Sequence, residues 1–155
     1  CLLVIYSDFN YKEDTAMVDQ NCAYCMEGEL VAKFGIKICE LETSKVYLFK
    51  EQSHPGRCIV AHKKHVGDMN ELTAEERAAY FEDVARVARA IMKAFNPDKV
   101  NYGAYGDTGH HLHFHLCPKY KDEYEWGGVF LMNPDKKYLT DAEYTEMIEK
   151  IKANL

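Results

Sequence analysis

A chain of 155 residues, 47% apolar and 28% charged, suits one globular domain with a single hydrophobic core, not a disordered or fibrous chain. Its formal charge of −6 argues against a general nucleic-acid binder, which needs clustered Lys and Arg, while a small phosphorylated ligand in a locally positive pocket stays open. No apolar run approaches the roughly 18 residues of a membrane span, and the opening CLLVIY is short for a signal-peptide core and lacks a basic flank, so the cytoplasm is the default location.

Residues 1–16 precede Met17 without clear periodicity. They read as a leader of uncertain origin, a tag remnant or a misassigned start, with residues 17–155 as one domain. Of the six cysteines, Cys1, Cys22, Cys25, Cys39, Cys58 and Cys117, only Cys22 and Cys25 have ligand-like spacing. Without a secretion signal, free thiols or a metal site are expected in place of a disulfide set. From Ile36 apolar residues alternate with polar ones (Ile36, Ile38, Leu41), and Val46-Tyr47-Leu48-Phe49 follows the turn-like Glu42-Thr43-Ser44-Lys45, which predicts a β-hairpin. After the breaker Pro55-Gly56, residues 57–62 make a third strand. Thr73 and Glu76 have capping-box spacing, and Tyr80, Phe81, Val84, Val87, Ala88, Ile91, Met92 and Phe95 recur with helical period, so a helix runs from Thr73 to Phe95 and stops at Asn96-Pro97. Strands at roughly 99–105 and 111–117 come next. A second capping box, Thr140 with Glu143, opens a C-terminal helix with the stripe Tyr144, Met147, Ile148, Ile151 and Leu155. This order predicts an α+β domain with a mainly antiparallel sheet. No phosphate-cradling glycine loop of the GxGxxG or GxxxxGK kind is present.

The chemistry concentrates in His110-His111-Leu112-His113-Phe114-His115-Leu116-Cys117-Pro118. A strand's period of two sends Leu112, Phe114 and Leu116 to the core and His111, His113 and His115 to the other face, which must meet a cleft, a metal or solvent. At about 3.3 Å per residue, neighbouring imidazoles are rooted roughly 7 Å apart and the outer two roughly 13 Å apart, which would strain a single metal site. The labour is therefore divided. Cys22 and Cys25 offer two thiolates for a tetrahedral Zn²⁺ site, and His65 and His111 are candidates for the other two ligands; two buried thiols are the plainer alternative.

In this arrangement the chain resembles the histidine triad (HIT) superfamily of nucleotide hydrolases and transferases. The match runs in order from Cys22 to about Trp126: the CxxC, Lys63-Lys64-His65, the long helix, a strand with Asn101, a turn with Gly106 and Thr108, and HLHFHL with Pro118-Lys119. The resemblance implies an antiparallel five-stranded sheet with one long and one C-terminal helix, usually in a homodimer. It also implies attack on the α-phosphate of a nucleoside phosphoramidate or dinucleoside polyphosphate through a nucleotidyl-histidine intermediate. By position His113 is the nucleophile, His115 a phosphate ligand, and Asn101 and Thr108 polar residues that contact phosphate or order the histidine strand. In the zinc-containing branch the ligands fall on Cys22, Cys25, His65 and His111, with a structural role.

An imidazole with an unperturbed pKa near 6.5 can attack phosphorus without a strong base, and His115, Thr108 and backbone N–H groups can stabilise the spread charge. The chain also departs from the family pattern. His62 stands where Pro usually precedes the Lys-Lys-His run, Asp107 interrupts the usual Gly-Gln-Ser/Thr turn, and Arg57 replaces a frequent His. Arg57 is expected to be a solvated strand charge, His54 and His62 surface residues, His110 a structural or exposed turn residue, and Trp126 a packing residue or a contributor to a partner's site. The competing readings are a zinc-stabilised nucleotide-binding module without turnover, and metal-dependent hydrolysis, which fits poorly because no carboxylate adjoins the triad in ligand spacing.

Overall fold

The alternation that begins at Ile36 builds a hairpin of β1 (Gly35–Glu40) and β2 (Ser44–Phe49), and β3 (Cys58–His62) continues the meander. In this computed structural model, which describes residues 19–155, β4 (Lys99–Gly103) and β5 (His113–Lys119) complete a five-stranded sheet of order β1-β2-β3-β5-β4. Every neighbouring pair is antiparallel, so the α+β expectation holds. The leader reading of residues 1–16 lies outside the described residues.

The last strand begins later than the alternation implies. His111 sits in a bend before β5: its N–H bonds to Gly109 O at 2.7 Å and that of Leu112 to Val66 O at 2.7 Å, so neither donates to β3, although Leu112 O still accepts from His62 N at 3.0 Å. At the far end Pro118 stays within β5, beyond the last β3 pairing at Cys58 and Leu116, where β4 is the only neighbouring strand among the described residues. The fourth strand stops at Gly103, two residues short of the expected range.

Register divides the sheet into two faces. Val46, Val60 and Phe114 stand side by side, as do Leu48, Cys58 and Leu116, and these rows form the core under the helices. The opposite rows are Tyr47, Ile59, His115 and Gly103, and Lys45, Ala61 and His113. A smaller apolar cluster of Tyr24, Val31, Tyr47, Phe49, Ile59 and Ala61 supports this histidine side.

The long helix α3 spans Ala74–Phe95, opened by the Thr73/Glu76 capping box and closed at Asn96 in the left-handed conformation (φ 49°). It buries Tyr80, Val84, Val87, Ala88 and Ile91 against the core face. Two polar ties fix its placement: Tyr80 donates to Val60 O at 2.7 Å, and buried Asp83 Oδ2 accepts from Thr43 N, Thr43 Oγ1 and Ser44 Oγ at 2.8, 2.8 and 2.9 Å. Its last residue, Phe95, packs against Gly56, where a Cβ would come within 2.5 Å of the ring. Helix α4 (Asp141–Lys152) starts at the Thr140/Glu143 box and buries Tyr144, Ile148 and Ile151. Two short helices that periodicity does not reveal, α1 (Ala23–Met26) and α2 (Gly28–Ala32), meet at Glu27 (φ 53°) and cover the edge of the histidine side. Among the described residues no helix is long and apolar enough to cross a membrane.

Candidate functional site

The alternation in His113-Phe114-His115 does what a strand requires: Phe114 enters the core, and the two imidazoles lie on the other face with ring centroids 5.2 Å apart. All three triad histidines are buried, at 2, 8 and 4% exposure for His111, His113 and His115, and all three line one cleft of about 900 Å³. His113 Nδ1 lies 2.7 Å from His111 O. A carbonyl only accepts, so Nδ1 carries the proton and donates, which leaves the lone pair of the neutral ring on Nε2. Burial lowers the His113 pKa and favours this neutral form.

His111 faces the other way. Its Nε2–H donates to His62 O at 2.7 Å, so its lone pair is on Nδ1, which lies 3.3 Å from Cys22 Sγ, 3.6 Å from Cys25 Sγ and 3.2 Å from His65 Nδ1. Cys25 Sγ is also 3.1 Å from His65 Nδ1, and the four donor atoms all lie within 4.8 Å of one another. A tetrahedral zinc with two sulfurs and two nitrogens has edges of about 3.3 to 3.8 Å. The cluster therefore matches that ion in donor type and nearly in size. The backbone carbonyl behind His111 also fixes its tautomer, as an outer partner of a metal ligand does. Without a cation, burial and the neighbouring Cys22 thiol push Cys25 up to about 11, a cost that a divalent ion would reverse.

Tyr24, which sequence reasoning did not single out, packs at a tilt with its ring centroid 5.2 Å from that of His111 and 5.0 Å from that of His113. It stands between the two thiols in the chain, so whatever brings them to His111 also brings its ring to the triad. The remaining cleft wall includes Phe34, Phe49, Ile59, Tyr105, Phe130 and Met132, with Asp107, Thr108 and Gly109 on an exposed turn. Tyr105 folds back over Gly103, where a Cβ would come within 2.5 Å of its ring, and reaches His115 at 6.3 Å. Thr108 thus shares the cleft with the histidines. Asn101 is on the same sheet face, paired with Cys117 one step beyond the Gly103/His115 pair, but outside the cleft lining.

Three expectations are corrected. Arg57 is not a solvated strand charge: it has no exposure, and its guanidinium lies 4.2 Å from the Phe49 ring centroid and 4.9 Å from that of Phe130. His54 is buried because Glu125 supplies a carboxylate 2.8 Å from Nε2 and the Tyr124 ring covers it at 5.3 Å. His62 is buried because its Nδ1 accepts from Lys64 N at 3.0 Å and its ring meets Tyr80 edge-on at 5.1 Å. His110 is exposed, one of the two readings expected of it, and Trp126 is 43% exposed.

A family profile described as HIT domain matches residues 35–122. The chain is 28% identical over 141 residues to the adenosine 5′-monophosphoramidase of Schizosaccharomyces pombe, covering 85% of this chain and 99% of that protein. It is 28% identical over 98 residues to the bis(5′-adenosyl)-triphosphatase of Dictyostelium discoideum, covering 60% of this chain and 65% of that one. A histidine triad protein from Sinorhizobium meliloti has the same fold, with a TM-score of 0.76 at 23% identity, over 83% of this chain and 95% of that chain.

Proposed function

Because the chain belongs to the HIT domain family, we propose that it cleaves a nucleotide at its α-phosphate, with His113 as the nucleophile. The observation that carries this reading is the bond from His113 Nδ1 to His111 O at 2.7 Å, which leaves a neutral, buried Nε2 lone pair beside a cleft of nucleotide size. Nε2 attacks the α-phosphorus, a histidine–phosphorus bond forms, and the P–N or P–O bond to the leaving group breaks. The departing atom keeps the electron pair and is protonated by water. The ring becomes cationic in this step, and the His111 carbonyl stabilises its Nδ1–H. Water then attacks phosphorus, the histidine–phosphorus bond breaks, and neutral His113 and a nucleoside monophosphate are released.

His115 and Thr108 are assigned to the phosphate oxygens, where negative charge spreads in the transition state. Asn101 is assigned to ordering the strand beside His115. The aromatic wall suits a base and ribose. Phosphoramidates and dinucleoside polyphosphates are the substrate classes of this reading, since similar proteins are named for a phosphoramidase and a bis(5′-adenosyl)-triphosphatase. Cys22, Cys25, His65 and His111 would hold zinc, whose chemistry when bound is structural, joining α1 to the start of β5. A symmetric homodimer is part of this reading, supported by the outer edge of β4, unpaired among the described residues and carrying Tyr102 at 52% exposure; light scattering giving a single-chain mass at micromolar concentration would reject it.

The test is incubation with a panel of nucleoside phosphoramidates, dinucleoside polyphosphates and nucleotide sugars. Release of nucleoside monophosphate from at least one of the first two classes is expected. Tight nucleotide binding with no turnover on any of them would instead mark a binding module.

A further inference from the structure

Arg57 takes no part in the covalent step at His113, yet its guanidinium is fully buried and lies 3.3 Å from His115 Nδ1. Removing a charge from water costs several kcal/mol, so buried cations usually have a carboxylate within reach. Arg57 does not. Its polar partners among the described residues are His115 Nδ1, Leu131 O at 3.3 Å and Met132 Sδ at 3.2 Å, and its Nε has none. The rings of Phe49 and Phe130 flank the guanidinium, which holds it in place without neutralising it. A buried positive charge with no directly bonded carboxylate among the described residues therefore sits beside the cleft that His115 lines.

The hydrogen bond has a fixed direction. A guanidinium has five N–H donors and no acceptor, so Arg57 donates and His115 Nδ1 accepts. A neutral imidazole bears one proton, and with Nδ1 accepting that proton is on Nε2. We propose that Arg57 is a positioning residue of the phosphate subsite: it holds His115 as the Nε2–H tautomer, so that His115 presents a donor to the α-phosphate, and its charge, with no carboxylate directly bonded, favours an anion in the subsite. This rests on the reading of His113 as the attacking group at an α-phosphate. Protonating His115 would aim a second N–H at the guanidinium, and burial, together with the Arg57 charge, pulls its pKa down to about 3. The same guanidinium holds Leu131 and Met132 in the cleft wall, so one side chain sets both the subsite's proton and its shape.

The experiment uses the 155-residue chain with 15N-labelled histidine, AMP as the ligand and a nucleoside phosphoramidate as substrate. Long-range 1H–15N spectra of the free wild type are expected to show His115 protonated on Nε2 and unprotonated on Nδ1. Arg57→Met should mix the tautomers, weaken AMP by about tenfold and lower kcat by about 10²-fold. Arg57→Lys, which keeps the charge but cannot reproduce the planar fork, should hold AMP affinity within a few-fold while losing the single tautomer and kcat. A wild-type His115 protonated on Nδ1 would overturn the proposal whether or not either variant folds. An Arg57→Met protein that keeps both tautomer and AMP affinity would also overturn it. A wild type with the expected tautomer and AMP binding but no turnover would support the Arg57 role while removing the catalytic reading at His113.

Discussion

The four-donor cluster leads to a prediction about stability. Its members come from α1, the segment after β3 and the bend before β5, and Cys22 and His111 are 89 positions apart. An unfolded chain does not hold these donors together, so the binding free energy of zinc counts almost wholly toward folding. A ligand present at a thousand times its dissociation constant stabilises the native state by about 4 kcal/mol. For a domain of this size each kcal/mol moves Tm by about 2 to 4 °C, so stripping the metal should lower Tm by about 8 to 16 °C. Calorimetry of protein purified without added metal, with and without a strong chelator and alongside elemental analysis, measures this directly. Cys25→Ser replaces the thiolate that lies 3.1 Å from His65, and should give a low-melting protein indifferent to the chelator. A wild type that contains no zinc and melts at the same temperature with and without chelator would refute the reasoning.

Two further outcomes follow from buried polar groups. Asp83→Ala leaves the three donors of Thr43 and Ser44 without their acceptor and should cost about 3 to 5 kcal/mol in urea unfolding, with Asp83→Asn costing clearly less because one oxygen can still accept; a loss below about 1 kcal/mol for Ala would contradict that role. Acid should destabilise the fold through its buried histidines: His54, His62 and His115 all have folded-state values below the ordinary 6.5, the last down to about 3. Below about pH 6.5 the unfolded chain binds protons that the native state refuses, so stability falls with pH by up to about 1.4 kcal/mol per unit for each such histidine. Thermal melts between about pH 7.5 and pH 5.5 should show Tm falling, and a flat or rising Tm would contradict the assignment.

The elements legible in the sequence are those whose signals are local. The hairpin follows from alternation at Ile36, Ile38 and Val46–Phe49, both long helices start at their threonine capping boxes, and the triad parity puts Phe114 and Leu116 in the core. The CxxC spacing marks Cys22 and Cys25 as a possible pair of ligands with His65 and His111 as candidates, and the family resemblance joins the four that the fold brings together. The polar residues misread as exposed, Arg57, His54 and His62, share one cause: their partners are remote or belong to the backbone. Glu125 reaches His54 across 71 positions and Leu131 O reaches Arg57 across 74, and no local periodicity encodes such pairings. Tyr24 was missed because a single aromatic inside a four-residue helix has no period to betray its face. The short helices around Glu27 escaped for the same reason.

The central claim is that His113 forms a covalent bond to phosphorus. Rapid-quench trapping with a labelled nucleoside phosphoramidate, followed by peptide mapping, tests it most directly. A nucleotidyl adduct is expected on His113 in the wild type, formed at least as fast as turnover. No adduct and no turnover are expected in His113→Ala despite retained nucleotide binding, and a rate lowered about 10²- to 10³-fold in His115→Ala. An adduct that maps to His111 or His115, persists in His113→Ala, or is absent from a wild type that is turning over would contradict it.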